Sequence, residues 1–293
     1  MTDSTNIPEI IIATINTIFE NLFSSIDNSL YSVLDEITFI STDILNDKYL
    51  GKIFGTSTSN GILLIANALV LAFILYFSIR FMLSHFTYSA IETPYKFIFK
   101  LIFFGICMNF SYFLIEQFIL IMSSISSAIL ELGNNLFDKK ICFSTLITSI
   151  NTSMSIDKSS LNIFSIDGII KGTLTLSLLN LVFSYSLRYI LIKVFILIAP
   201  FAFLSLSLQS TSWFFKSWIR NLFSLFFIQI IVSLVLLILF SMDFSSGNLI
   251  TKFIYIGGIY SLIRANSFVR EFIGGISTEV HSNLSGFNSF LKH

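Results

Sequence analysis

Residues 61–83 read GILLIANALVLAFILYFSIRFML, with one charge, Arg80, near the end. A hydrocarbon core of about 30 Å takes about 20 apolar residues of helix at about 1.5 Å each, and this run meets that length. The pattern recurs downstream. After a polar hinge from Ser84 to Lys96, containing His85, Glu92 and Pro94, a second apolar run extends from Phe97 to Met122, with Lys100 at one end and Glu116 inside. A third starts near Gly172 and stays apolar through Arg188 and Lys193 to Leu208, with Pro200 interrupting it. A fourth covers Asn221–Met242, and a fifth runs roughly from Leu249 to Ile263, closed by Arg264. The fold class that follows is all-α: a polytopic transmembrane helical bundle of about five spans.

Composition supports the same reading. Of the 293 residues, 54% are hydrophobic and 12% charged, against about 25% charged in an ordinary soluble domain. The mean hydropathy is +0.84. A water-soluble fold of this composition lacks the polar residues to coat its surface, whereas lipid accepts apolar side chains on the outside. The formal net charge is zero, so overall balance favours neither nucleic acid nor acidic substrates. Cys107 and Cys142 lie far apart and are read as unpaired, without a disulfide framework. The high Phe, Ile, Asn, Ser and Lys usage hints at AT-rich coding in a bacterium. No basic segment precedes an early apolar run, so the first span is expected to act as an uncleaved signal anchor.

The stretches between spans are informative. In residues 1–60, apolar residues from Ile7 through Ile15, Leu22 and Leu30 to Ile44 recur at three- and four-residue steps, an amphipathic helical period. The opposite face carries Glu9, Glu20, Asp27 and Asp35, so docking on protein is favoured over docking on anionic lipid. Gly51, Gly55 and residues 56–60 read as a linker. Residues 123–170 are expected to be an external loop, helical at most over Ser123–Leu136. The 171–264 core is expected to hold a helix reaching about Lys193, then a break near Pro200 and a re-entrant or interfacial segment over 194–220. The 265–293 tail is polar. Counting Lys and Arg near the span ends places Arg80, Lys96, Lys100, Arg188, Lys193, Lys216, Arg220, Arg264 and Arg270 on the inner side of a five-span chain whose N-terminus is outside and C-terminus inside.

Enzyme signatures are missing: no phosphate-binding Gly-rich loop is present, and His85, His281 and His293 lack metal-ligand spacing. No catalytic, metal or cofactor residue is assigned. Glu116 is the sharpest single residue, because an ionisable group inside a span is costly. It either faces a bundle interior or pore, near Asn109, or lies close enough to the span end to reach headgroups. Arg188 and Lys193 either snorkel to the inner headgroups or line a basic vestibule formed by several copies, which would favour an anionic passenger. Trp213, Lys216, Trp218 and Arg220 form an aromatic and basic run expected to anchor the chain at a membrane–water interface. Gly257-Gly258 is expected to permit close helix packing.

The run RYILIKVFILIAPFA (residues 188–202), followed by Trp213, Trp218 and another long apolar span, resembles the core of the TrbL-type conjugal transfer proteins, polytopic inner-membrane components of type IV secretion systems. The likeness covers roughly residues 60–265 by layout and 188–240 by motif. The 265–293 stretch is not expected to stand for the long hydrophilic C-terminal extension of many members. The resemblance implies a non-enzymatic channel or scaffold subunit in the bacterial cytoplasmic membrane. It would form homo-oligomers and work with the other membrane subunits and ATPases of a conjugation machine, with transient contact to transferred DNA. The competing readings are a small transporter or ion channel, and a membrane anchor without a passage function. The transporter reading lacks internal half-to-half similarity.

Overall fold

The computed structural model describes residues 14, 17–18, 33–55, 60–87, 93–153, 166–242 and 249–274. All regular structure among them is helical. Residues 33–38 form a short helix, and Thr42–Asn46 a 3-10 turn. The longer elements are α1 (Lys48–Phe54), α2 (Ile62–Thr87), α3 (Pro94–Asn109), α4 (Ser111–Phe137), α5 (Phe143–Ser153), α6 (Ile166–Ser205), α7 (Ser212–Phe240) and α8 (Leu249–Ile273).

Among the described residues, four helices are long and apolar enough to cross a membrane: Ile62–Phe86, Ser111–Phe137, Gly172–Ser205 and Ser212–Phe240. The protein is therefore a helical membrane bundle. The expected fifth span falls in α8, which is less apolar but runs alongside α7. Gly258 of α8 sits against Leu239 near one end of α7, and Gly274 lies beside Arg220 near the other, so the two helices are antiparallel. Any side chain at Gly258 would collide with Leu239, whereas Gly257 faces open space; only one of the two glycines serves close packing.

The core is α6, α7 and α8 with α4 beside them. Phe195 faces Trp218 and Arg188 faces Leu225, so α6 and α7 are antiparallel. Phe118 packs against Phe223 and edge-on against Phe226, and Ser126 meets Ser233, so α4 runs parallel to α7. The α2–α3 hairpin is peripheral. It is closed on itself by stacking of Phe77 on Phe97 (3.8 Å between ring centroids) and by two hydrogen bonds between Asn67 and Asn109. Phe97, Leu101 and Met108 then pack with Leu204 and Leu208 near the C-terminal end of α6.

Several sequence expectations are corrected. The Phe97–Met122 run is two helices parted at Phe110. Asn109 Nδ2 donates to the Gly105 carbonyl and Ser111 Oγ to the Met108 carbonyl, so polar side chains compete with the backbone where the helix breaks. The described part of 123–170 is largely helix rather than loop. α4 continues to Phe137, with Ser123 Oγ donating to the Leu120 carbonyl and Ser126 meeting Ser233 of α7.

Pro200 does not break α6, a 40-residue helix that passes through it to Ser205. Burial of the adjoining Ala199 and Ala202 outweighs one missing amide. The segment 194–220 is thus the end of α6, a tight connector over 206–211 and the first turns of α7. The tail begins later than residue 265, because Ala265 and Val269 are core residues of α8. Much of the 1–60 region lies outside the described residues. Within 33–46 the continuous helical period fails at residues 39–41.

Trp218 is not an interfacial anchor. It is buried, and its Nε1 donates to the Phe195 carbonyl at 2.9 Å. Trp213, Lys216 and Arg220 remain on the exposed face of α7. In single-tryptophan variants reconstituted in detergent, Trp218 fluorescence is expected to be blue-shifted and resistant to acrylamide, with Trp213 readily quenched. Equal quenching of both would contradict this packing.

Candidate functional site

α6 is apolar along most of its length, yet Arg188 sits midway along its Gly172–Ser205 stretch and has no exposed surface. A guanidinium carries five N–H donors and does not lose its charge in a protein, so a site that hides it must supply acceptors. Here they come from two directions. Nε donates to the Leu225 carbonyl of α7 at 2.7 Å, and Nη1 to the Thr38 carbonyl at 3.0 Å. Nη2 reaches Gln229 Oε1 at the 3.5 Å limit. Among the described residues no carboxylate forms an ion pair with Arg188. Leu225 and Gln229 flank the middle of α7, so the charge lies deep between two of the most apolar helices in the chain.

The second direction is the unexpected one. Residues 33–54 lie in the bundle as an irregular strap between α4, α6 and α7. Leu34, Ile40, Ile44, Leu45, Leu50 and Phe54 are all buried. Backbone that leaves helical geometry inside a membrane bundle must have its polar groups satisfied by neighbouring protein. At the break, Arg188 takes the Thr38 carbonyl and Gln229 Oε1 accepts the Ile40 amide at 3.2 Å. The same two side chains thereby hold both sides of the unwound stretch.

Further contacts fix its ends. Asp35 accepts the Phe143 amide at 2.7 Å and the Ser144 amide at 3.3 Å, capping α5 from a distance in sequence. The Tyr112 hydroxyl donates to the Leu45 carbonyl at 2.7 Å. Asp47 caps α1 through Oδ1, which accepts the Tyr49 amide, and Lys193 Nζ binds Oδ2 at 2.6 Å. Lys193, and after it the Tyr49 amide, hold the Asp47 carboxyl below the ordinary carboxylate range. A lowered pKa means that this contact contributes fully above that range and is lost only as pH falls through the lowered value. Gly55 ends α1 with a positive φ of 99°, and its backbone presses so closely on Gly61 that a Cβ on Gly61 would come within 2.6 Å of Gly55 Cα. The end of α1 and the start of α2 therefore lie in close contact.

The candidate residues separate accordingly. Arg188 turns inward to the strap, and Lys193 is paired with Asp47; in this arrangement neither lines an open vestibule. Glu116 is half-buried in the second turn of α4, near the end of the span, one turn after Tyr112. Asn109 pairs with Asn67 across the hairpin and is not brought to Glu116. Gln229, Thr38, Asp47 and Tyr112 are the site residues that the sequence did not single out. A carboxamide within the Asn221–Met242 run was the available signal for Gln229. Among the described residues no cluster of three or more His, Cys, Asp or Glu could hold a metal, and both cysteines are free.

Replacing Arg188 with Met keeps the volume and strands the Thr38 carbonyl. R188M is expected to cost on the order of 2–4 kcal/mol in unfolding measured in detergent. R188K keeps the charge without the planar fork and is expected to recover only part of the loss. R188M equal in stability to the unaltered protein would contradict this assignment. No family model matches the chain, and neither characterised proteins nor solved structures show a match, so the residues themselves carry the functional argument.

Proposed function

We propose that the chain is a non-enzymatic channel or scaffold subunit of a bacterial conjugation machine of the type IV secretion class. In this reading it sits in the cytoplasmic membrane, with its N-terminus outside and C-terminus inside, and helps DNA or protein substrate cross. It acts as a homo-oligomer beside the machine's other membrane subunits and separate ATPases. The observation that carries the reading is a contrast in burial. Of the residues in the apolar stretch of α7, 61% are buried within one copy, against 11% for that of α2. The strap fills the groove between α4, α6 and α7, while the hairpin leaves a broad apolar face open to lipid or to neighbouring subunits. A passenger as large as a polymer would then pass between copies rather than through one. The likeness of residues 188–240 to the TrbL-type core supplies the machine.

A second reading, a small transporter or ion channel, is favoured by the unwound stretch 39–41 inside the bundle. Broken helices of this kind build substrate sites in transporters. Deletion of the gene followed by mating separates the two. The conjugation reading expects transfer frequency to fall by several orders of magnitude and to return on complementation. Unchanged transfer in a conjugative host would remove it.

A further inference from the structure

The outward face of α8 carries a charge at a depth where lipid does not accept one. Arg264 is exposed, on the side of α8 away from its buried residues Ile259, Leu262 and Ala265. Gly258 against Leu239 and Gly274 beside Arg220 fix the register of α8 on α7. They put Arg264 near the depth of Val232, inside the apolar Asn221–Met242 run. The Tyr185 hydroxyl, one turn from the buried Arg188, donates to the Leu262 carbonyl at 3.1 Å, so this part of α8 lies level with the middle of α6. The Arg220 end of the bundle is about 15 Å farther along α8 at about 1.5 Å per residue. Side chains on a helix lean toward its N-terminus, so Arg264 leans away from that end. Its Nε and Nη2 both donate to the Tyr260 hydroxyl at 3.2 Å, one turn deeper. The guanidinium is therefore held within the span, and an exposed charge there is costly unless protein or water covers it.

The opposite flank of the bundle supplies the complement. α4 meets α7 through Phe226, Ser233 and Leu237, whereas α8 meets it through Arg220 and Leu239. At about 3.6 residues per turn these are roughly opposite sides of α7. α4 contains two carboxylates, Glu116 and Glu131. Glu116 lies near the depth of Phe223 and leans toward the Arg220 end, away from Arg264. Glu131 is exposed, and the contact of Ser126 with Ser233 places it near the depth of Ile238. α4 and α8 are antiparallel, so the Glu131 and Arg264 side chains lean toward each other across about 9 Å of depth. Between those depths both faces are small. Ala128 of α4 and Ser261 of α8 are exposed and share one depth, and Gly257 faces open space. In lipid, small residues and polar pairs of this kind let helices associate, because hydrophobicity alone gives no preference for protein over lipid.

We propose that the α8 face docks on the α4 face of a second copy of this chain, with Arg264 of one copy paired to Glu131 of the next and Ser261 packed on Ala128. The two faces differ and lie on opposite flanks of one copy, so the contact repeats head to tail around an axis normal to the membrane and does not form a two-fold pair. Pairing removes the Arg264 charge from lipid and gives it a carboxylate acceptor. The inference rests on the proposed function only for the association of copies; it needs nothing of the conjugation role.

The test uses the full chain with Cys107→Ser and Cys142→Ser, produced as two differently tagged copies in one membrane. One copy carries Ala128→Cys and the other Ser261→Cys, the two positions that share a depth. Oxidation is expected to link the two tags, since a disulfide forms only where the helices are in contact. R264E on the Ser261→Cys copy is expected to lower the linked fraction at least fivefold. E131R on the Ala128→Cys copy is expected to do the same, and the two reversals together to restore it, which also shows that both chains fold. No link between the tags, a link of the Ala128→Cys copy to itself in preference, a link undiminished by either single reversal, or a double reversal that fails to restore it would each overturn the proposal. Linking is scored without mating. A chain that links as expected yet leaves transfer unchanged when deleted removes the conjugation reading and keeps this contact.

Discussion

A positive charge with no exposed surface, placed midway along an apolar helix, is the constraint around which this bundle is organised. Insertion of Arg at a span centre costs about 2.5–3.5 kcal/mol, and a hydrogen bond to a charged group returns about 1.5–3 kcal/mol. Two good acceptors therefore bring Arg188 near balance, and the Leu225 and Thr38 carbonyls are the two short ones. One belongs to α7 and sets the register of the α6–α7 pair. The other belongs to a segment that would have no reason to enter the bundle as irregular backbone without it. The charge is thus accommodated only if the strap is present, and the strap's break is satisfied only if the charge is present.

That mutual dependence divides the molecule. The α4, α6, α7 and α8 core with its strap is closed and polar at its centre. The α2–α3 hairpin hangs on the end of α6 through Phe97, Leu101, Met108, Leu204 and Leu208, and otherwise presents aromatic and aliphatic side chains such as Phe99 and Ile102 outward. The strap occupies the groove between α4, α6 and α7, whereas the hairpin leaves an exposed apolar face. Asp35 and Asp47 add to the division. Each carboxylate caps a helix terminus and also ties the strap to an element distant in sequence.

The membrane character was legible because it is a property of local composition: the Gly61–Leu83 and Asn221–Met242 runs both lie within helices long enough to span. The break at Phe110 was written in Gly105, Asn109 and Ser111, but the surrounding apolar residues outweighed them in any averaged reading. Pro200 misled in the opposite sense, because a local rule about proline was overridden by tertiary packing of Ala199 and Ala202. Trp213 and Trp218 share one aromatic and basic run, but five positions at about 3.6 residues per turn put them on different sides of α7, and Phe195 lies on the side of Trp218. Arg188 and Lys193 were visible as charges in an apolar run. Their partners were not, since Thr38 and Asp47 lie 150 and 146 positions away. The acidic face of the first 60 positions favours protein over anionic lipid only in general terms, whereas Asp35 and Asp47 are specific acceptors.

Hydrogen–deuterium exchange across residues 33–47 in lipid nanodiscs bears most directly on the claim that Arg188 seats non-helical backbone inside the bundle. The account expects the Ile40 amide to exchange as slowly as those of α7, and to lose that protection in R188Q while α7 keeps its own. Rapid exchange at Ile40 in the unaltered protein, or protection there that survives R188Q undiminished, would contradict it.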